Sequence, residues 1–247
     1  TVTVSDAFVN SQWRTILVGG LNGGGQGIFA LDVTDPSQFN ESNASGIVKW
    51  EFTDQDDADL GLTYSQASIV RLANGQWAAI FGNGYNNTEN DGTASTTGNA
   101  VLYIVDLHTG TLIKKLDTGV GASDDPLGQG RPNGLSTPAV VDANGDYVAD
   151  IVYVGDLFGN LWKIDISSSN PNQWDFTFKQ GSDNAPLFVA INAQNERQPI
   201  TTRPTVSRVN FSASTFQVYI GTGQYLTFAD RTDTSIQSVY AIRDDNT

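Results

Sequence analysis

Apolar positions along the chain fall into short runs that end in glycine. ILVGG at 16, AIFGNG at 79, IVYVGD at 151 and QVYIGTG at 217 are each an apolar stretch of strand length closed in this way. A second run follows each, in which aromatic and apolar residues lead to Asp: IFALDV at 28, VLYIVDL at 101, LWKIDI at 161 and SVYAIRD at 238. Runs this short, bounded by Gly, Asn and Asp, predict β-strands joined by turns. From Gly19 through Gly82 and Gly155 to Gly221 the repeat recurs about every 65 residues. That exceeds the roughly 40 to 50 residues of the best-known propeller repeats, and the excess lies in loops.

A further strand precedes each of the last three glycine strands: SIVRL at 68, TPAVV at 137 and RPTVSRV at 203. The unit is therefore a blade of three or four antiparallel strands. A sheet with two apolar faces needs a neighbour on each, so copies must stack around an axis. The prediction is an all-β, modified β-propeller built from antiparallel blades, with four repeats visible as part of a larger ring. The blades run approximately over 1–60, 61–130, 131–200 and 201–247. The polar segments NGYNNTENDGTASTTGN at 83 and QGSDNAPLFVAINAQNERQ at 180 read as surface insertions. Helical signals are confined to DPSQF at 35 and NPNQW at 170, each a capping residue before Pro. Either a single helical turn or an ordinary Pro turn satisfies them.

Composition narrows the function. Among 247 residues the net charge is −14, from 13 Lys plus Arg against 27 Asp plus Glu. Such a surface repels phosphate backbones and anionic lipid headgroups, which argues against nucleic acid and for divalent cations as partners. With no cysteine there is neither a disulfide nor a thiolate metal site. The longest apolar runs are strand-sized, so direct membrane insertion is not expected. The chain opens at Thr1 without Met, as a processed or excised product would, and any export signal is expected outside it.

The sharpest candidate chemistry lies between TPAVV and IVYVGD, in DANGDYVAD at 142–150. Asp142, Asn144 and Asp146 occupy alternate positions and Asp150 closes the segment. A calcium ion takes 6 to 8 oxygens, and a loop wrapped around it supplies side chains from positions 1, 3, 5 and 9 and a main-chain carbonyl from position 7. Here position 7 is Val148, whose side chain is free to be apolar because only its carbonyl is used. An EF-hand is excluded: positions 6 and 12 are Tyr147 and Tyr153, and the flanks read as strands. The loop resembles the nine-residue calcium loops on hairpins of integrin-type propellers. The bland alternative is a plain Asn-Gly hairpin turn. The second repeat supplies a control, because LANGQW at 72 keeps Ala-Asn-Gly but has Leu72 and Gln76 in place of two of the acids. A turn needs only Asn-Gly, and three carboxylates in nine residues repel one another unless a cation sits among them.

Other motifs carry less. DQDDAD at 54 offers Asp54, Asp56, Asp57 and Asp59 and is expected as a solvated acidic loop, with a second metal site as the alternative. The single histidine, His108, falls in the turn-like DLHTG, and no triad motif surrounds it. Zinc lacks its His and Cys ligands. LNGGGQG at 21 has no following Lys and runs into a strand, so a hairpin loop is expected in place of a phosphate loop. Trp50, Trp77, Trp162 and Trp174 are assigned to the core.

The run NGLSTPAVVDANGDYVADIVYVGDLFGNLWKIDIS at 133–167 resembles the C-terminal propeller of the PilC/PilY proteins of bacterial type IV pili. WEFTDQDDADLGLTYSQASIVRL at 50 and IGTGQYLTFAD at 220 are similar to the same domain. The resemblance implies a non-enzymatic module at the pilus tip, exported through the periplasm to the cell surface and associated with the outer membrane. It implies pilin or minor pilin subunits and host surface receptors as partners, in pilus assembly, adhesion and twitching motility. It also implies that calcium held by Asp142, Asn144, Asp146, Val148 and Asp150 tunes extension against retraction. The family's ring has more repeats than the four found here, and no Arg-Gly-Asp tripeptide is present. Two rival classes remain: a quinoprotein-type dehydrogenase, whose propeller repeats look similar, and a glycan-binding, lectin-like propeller.

Overall fold

A computed structural model describes residues 1–89, 93–209 and 215–245. Residues 90–92, in the insertion at 83, lie outside them. The first sheet is an antiparallel meander of β1 (Val2–Val9), β2 (Gln12–Gly20), β3 (Gly27–Asp32) and β4 (Val48–Thr53). The second repeats it with β5 (Ser68–Arg71), β6 (Trp77–Gly82), β7 (Val101–Asp106) and β8 (Leu112–Asp117). The third contains β9 (Ala139–Val141), β10 (Ile151–Gly155), β11 (Asn160–Asp165) and β12 (Asp175–Phe176). After it, β13 (Phe178–Gln180) and β14 (Asp183–Ala185) form a small hairpin, and β15 (Phe188–Val189) returns to pair with β11. The fourth sheet is β16 (Thr205–Arg208), β17 (Phe216–Gly221) and β18 (Val239–Asp244). The antiparallel sheets are those of a propeller, each glycine strand lying in the interior of its sheet.

Side-chain alternation explains why these strands read as continuous apolar runs. In β6, Ala79 and Phe81 join the core shared with the first sheet, while Ala78 and Ile80 join the core shared with the third. Successive Cβ atoms point to opposite faces, so a strand sandwiched between two sheets must be apolar at every position. Tyr153 and Leu161 of the third sheet meet Val218 and Ile220 of the fourth in a further cluster. Trp50, Trp162 and Trp174 are buried as expected, whereas Trp77 is half-buried and stacks edge-on against the exposed Trp13.

The repeated glycine marks the crossing point of the chain that leads into the next sheet. In the first unit Gly19 meets only the end of the Phe29 ring, at 2.8 Å, and the close approach falls on its neighbour Gly20, where a Cβ would stand 2.4 Å from the Thr63 carbonyl oxygen; one on Gly82 would stand 2.5 Å from that of Ser136, and one on Gly155 2.2 Å from Ile200. At Gly221 nothing comes closer than 3.9 Å. The two end sheets keep apolar side chains on their outer faces, among them Val2 and Val4 on one and Tyr219 and Val239 on the other.

Four local features differ from the sequence reading, refine it or agree with it. The first sheet has an opening strand, β1, which the glycine-run pattern passes over because it is an edge strand that mixes Thr3, Ser5 and Asp6 with its apolar residues and does not end in glycine. The insertion at 180 is partly ordered into β13 to β15. DPSQF and NPNQW become single turns of 3-10 helix, with the side chains of Asp35 and Asn170 accepting from Ser37 N and Asn172 N. LNGGGQG is the β2–β3 hairpin loop. Among the described residues no helix is long and apolar enough to cross a membrane.

Candidate metal centre

The loop 142–150 joins β9 to β10, two short antiparallel strands in which Val141 pairs with Ile151. Its polar side chains fold onto its own backbone. Asp142 Oδ1 accepts from Asn144 N at 3.2 Å and Gly145 N at 2.6 Å, and its Oδ2 accepts from Tyr147 N at 2.8 Å. Asn144 Oδ1 accepts from Asp146 N, Asp146 Oδ1 from Val148 N, and Asp150 Oδ2 from Ala143 N, at 2.8, 2.9 and 2.7 Å. Gly145 takes φ 88° and Tyr147 φ 65°, left-handed conformations that let the chain curl so tightly. Tyr147 projects into solvent, while Asp150 at the loop's end is buried.

All five expected positions therefore lie on one compact loop. Among the described residues, however, no three acidic or histidine side chains converge on one point. The loop's carboxylates are engaged with backbone N–H groups. Their charges still act on one another. Burial, aided by the nearby Asp146 and Asp142, pushes the Asp150 carboxyl above its ordinary range. Burial also pushes on Asp142, but backbone N–H groups of Gly145, Tyr147, Asn144 and Asp146 outweigh it and hold that carboxyl below the usual value. Among the described residues none of these three acids forms an ion pair with Lys or Arg. These are hard oxygens of the kind a calcium ion takes, and the groups that would hold one are the Asp142, Asn144, Asp146 and Asp150 side chains and the Val148 carbonyl.

The second acidic stretch behaves differently. Lys115 Nζ lies 2.7 Å from Asp57 Oδ1 and 2.7 Å from Asp59 Oδ2, Tyr103 donates its hydroxyl to Asp57 at 2.9 Å, and Ser95 donates to Asp59. Two acids of the expected solvated loop are thus part-buried in a strut between the first two sheets, and a lysine already fills the place of a cation. Sequence spacing does not reveal it, since Lys115 is 58 residues from Asp57. His108 is exposed in the β7–β8 turn, its backbone N–H donating to Asp106 Oδ1. Asp156, which no motif singled out, is a buried hub. It accepts from Asn133 Nδ2, Asn160 Nδ2 and Trp162 Nε1 on one oxygen and from Phe158 N and Asn160 N on the other, all within 2.8 to 2.9 Å.

Comparison with known proteins matches residues 1–247 to the family model described as "PilY1 beta-propeller domain". A type IV pilus biogenesis factor PilY1 homolog of Xylella fastidiosa is 46% identical over 246 residues, covering 98% of this chain and 16% of that protein. The type IV pilus biogenesis factor PilY1 of Pseudomonas aeruginosa strain UCBPP-PA14 is 40% identical over 265 residues, covering 100% of this chain and 21% of that protein. The chain thus spans about a fifth or less of the length of these relatives. The crystal structure of the Pseudomonas aeruginosa PilY1 C-terminal domain superposes with a TM-score of 0.83 at 34% identity, over the whole of this chain and 48% of that one. In sequence over its full length and in the arrangement of its sheets, the chain belongs to the PilY1 β-propeller domain family.

Proposed function

We propose that this chain is a non-catalytic, calcium-binding module of a type IV pilus biogenesis factor, working outside the cytoplasm at the pilus. Support for the pilus role comes from the relatives, which carry that name over the whole of this chain. Support for the metal comes from one observation above others: Asp142, Asp146 and Asp150 crowd into nine residues with no ion-pairing partner among the described residues, whereas the acids at 57 and 59 have Lys115. In this reading one calcium ion cross-links the loop. Its occupancy alters the surface that the third sheet offers to pilin or minor pilin subunits or to host receptors, and so adjusts pilus assembly, extension against retraction, twitching and adhesion.

Calorimetric titration of metal-free protein with calcium tests the metal directly. Asp146→Asn preserves an oxygen that accepts from Val148 N and removes one charge, so it separates coordination from loop folding. The expected result is one site in the wild type and at least about tenfold weaker binding in Asp146→Asn and Asp142→Asn. Equal heats from all three proteins refute the assignment. For the pilus role, cells producing the Asp142→Asn protein should retain it at the surface yet show altered twitching.

A further inference from the structure

The metal loop is tethered to three sheets, not one. Within its own sheet, Asp150 N donates to the Val141 carbonyl at 3.0 Å. Toward the second sheet, Ala149 N donates to the carbonyl of Arg71, at the end of β5, at 2.9 Å. Ala149 is itself buried in the core that contains Leu72 and Val70. Toward the fourth sheet, Arg208, at the end of β16, reaches back with Nη2 to the Ala143 carbonyl oxygen and, at 3.5 Å, to that of Asp142. The same guanidinium lies 5.8 Å from the Phe216 ring centre in β17. The entry half of the loop is therefore held by the fourth sheet and the exit half by the second.

The atoms involved do not overlap with those a cation would use. Arg208 engages the main-chain oxygens of Asp142 and Ala143, and Arg71 engages the amide of Ala149. A cation would use the side-chain oxygens of Asp142, Asn144, Asp146 and Asp150, which here accept from the loop's own backbone N–H groups, and the Val148 carbonyl; none of these atoms is held by Arg208 or Arg71. We propose that the loop is a clasp between sheets, and that Arg208 is the positioning residue through which cation occupancy of the loop is passed to the fourth sheet. The proposal rests on the calcium reading above and extends it from one hairpin to the seam between neighbouring sheets. Closing the loop around a cation fixes the backbone that Arg208 grips, so clamp and cation favour the same arrangement. Coupling of this kind is reciprocal: whatever calcium does for the clamp, the clamp does for calcium affinity. The guanidinium also repels a cation, but it is exposed and its field is screened by solvent, so ordering of the loop decides the sign.

Hydrogen exchange with and without saturating calcium, together with calorimetry, tests this in wild type, Arg208→Ala and Arg208→Lys. In the wild type, calcium should slow exchange in 142–150, in 68–71 and in 205–209. In Arg208→Ala the slowing should persist in the first two segments and vanish from the third, with calcium bound about fivefold more weakly. Arg208→Lys keeps one donor and should recover part of both effects. Exchange in 205–209 that ignores calcium in the wild type overturns the proposal, as does calcium binding that is unchanged or tighter in Arg208→Ala. Absence of calcium heat in the wild type overturns the metal reading and the clasp together. Heat without transmission to 205–209 overturns the clasp alone.

Discussion

Two buried carboxylates show how single residues carry this fold in opposite electrostatic settings. Asp156 is fully enclosed and faces five donors, so both of its oxygens must act only as acceptors. Asp156→Asn would turn an amide NH₂ group toward N–H groups that need an acceptor. It should lower stability by about 2 to 4 kcal/mol in urea unfolding, because donors left unpaired in the interior pay their full desolvation cost. Asp125 is buried against the bidentate Arg131 guanidinium, with 2.7 Å from Oδ1 to Nη2. Burial pushes this carboxyl upward, but hydrogen bonds from the Arg131 side chain and from the backbone N–H groups of Arg131, Leu127 and Gln129 outweigh it and hold it well below the usual range. A depressed folded-state value means that the ionised form stabilises the fold fully above the unfolded value of 3.8, and that this contribution shrinks below it and is lost as pH falls through the lower folded value. Melting curves between pH 6 and about 2.5 should fall on the acid side, and Asp125→Asn should flatten that fall.

At the level of elements, the repeat glycine is a packing requirement more than a turn signal. Gly82 and Gly155 end strands β6 and β10, where the chain entering the next sheet presses on the backbone, and Gly221 ends β17 in open space. Gly82→Ala should therefore cost about 1 to 3 kcal/mol by forcing the backbone at Leu135 and Ser136 to move, whereas Gly221→Ala should change stability by less than about 0.5 kcal/mol. Comparison of the two in denaturant titrations separates crossing from conformation, since neither glycine has a positive φ. The two Asn-Gly hairpins form a parallel pair. In the β5–β6 turn, Leu72 and Gln76 close a tight loop through the Leu72 N to Gln76 O bond at 2.8 Å, and no acid is needed. In the β9–β10 loop, the acids replace that closure with side-chain acceptors.

Across the whole molecule, four sheets share three internal cores, and the two outermost faces carry exposed apolar side chains. Val4 is 51% exposed and Val239 82% exposed, against 1% for Val18 in the first core. Val4→Lys and Val239→Lys should leave stability within about 0.5 kcal/mol of the wild type and reduce binding of an apolar fluorescent dye, whereas Val18→Lys should prevent folding.

The sequence by itself determined what depends on neighbours along the chain. Strand positions followed from apolar runs, turns from Asn-Gly and Pro, and the propeller from recurrence of the glycine strand, because alternation and turn chemistry are local. The membership of the candidate metal loop was legible for the same reason: Asp142 to Asp150 is one contiguous segment. Only the tertiary structure decided which charges are compensated. Lys115 reaches Asp57 and Asp59, Asn133 and Trp162 meet on Asp156, and Arg208 grips the carbonyls of Asp142 and Ala143 from another sheet. Except for Trp162 and Asp156, six residues apart, such partners lie tens of residues apart, and their meeting is fixed by how sheets stack. No spacing in the chain records the difference between an acidic loop neutralised by a lysine and one without an ion-pairing partner among the described residues.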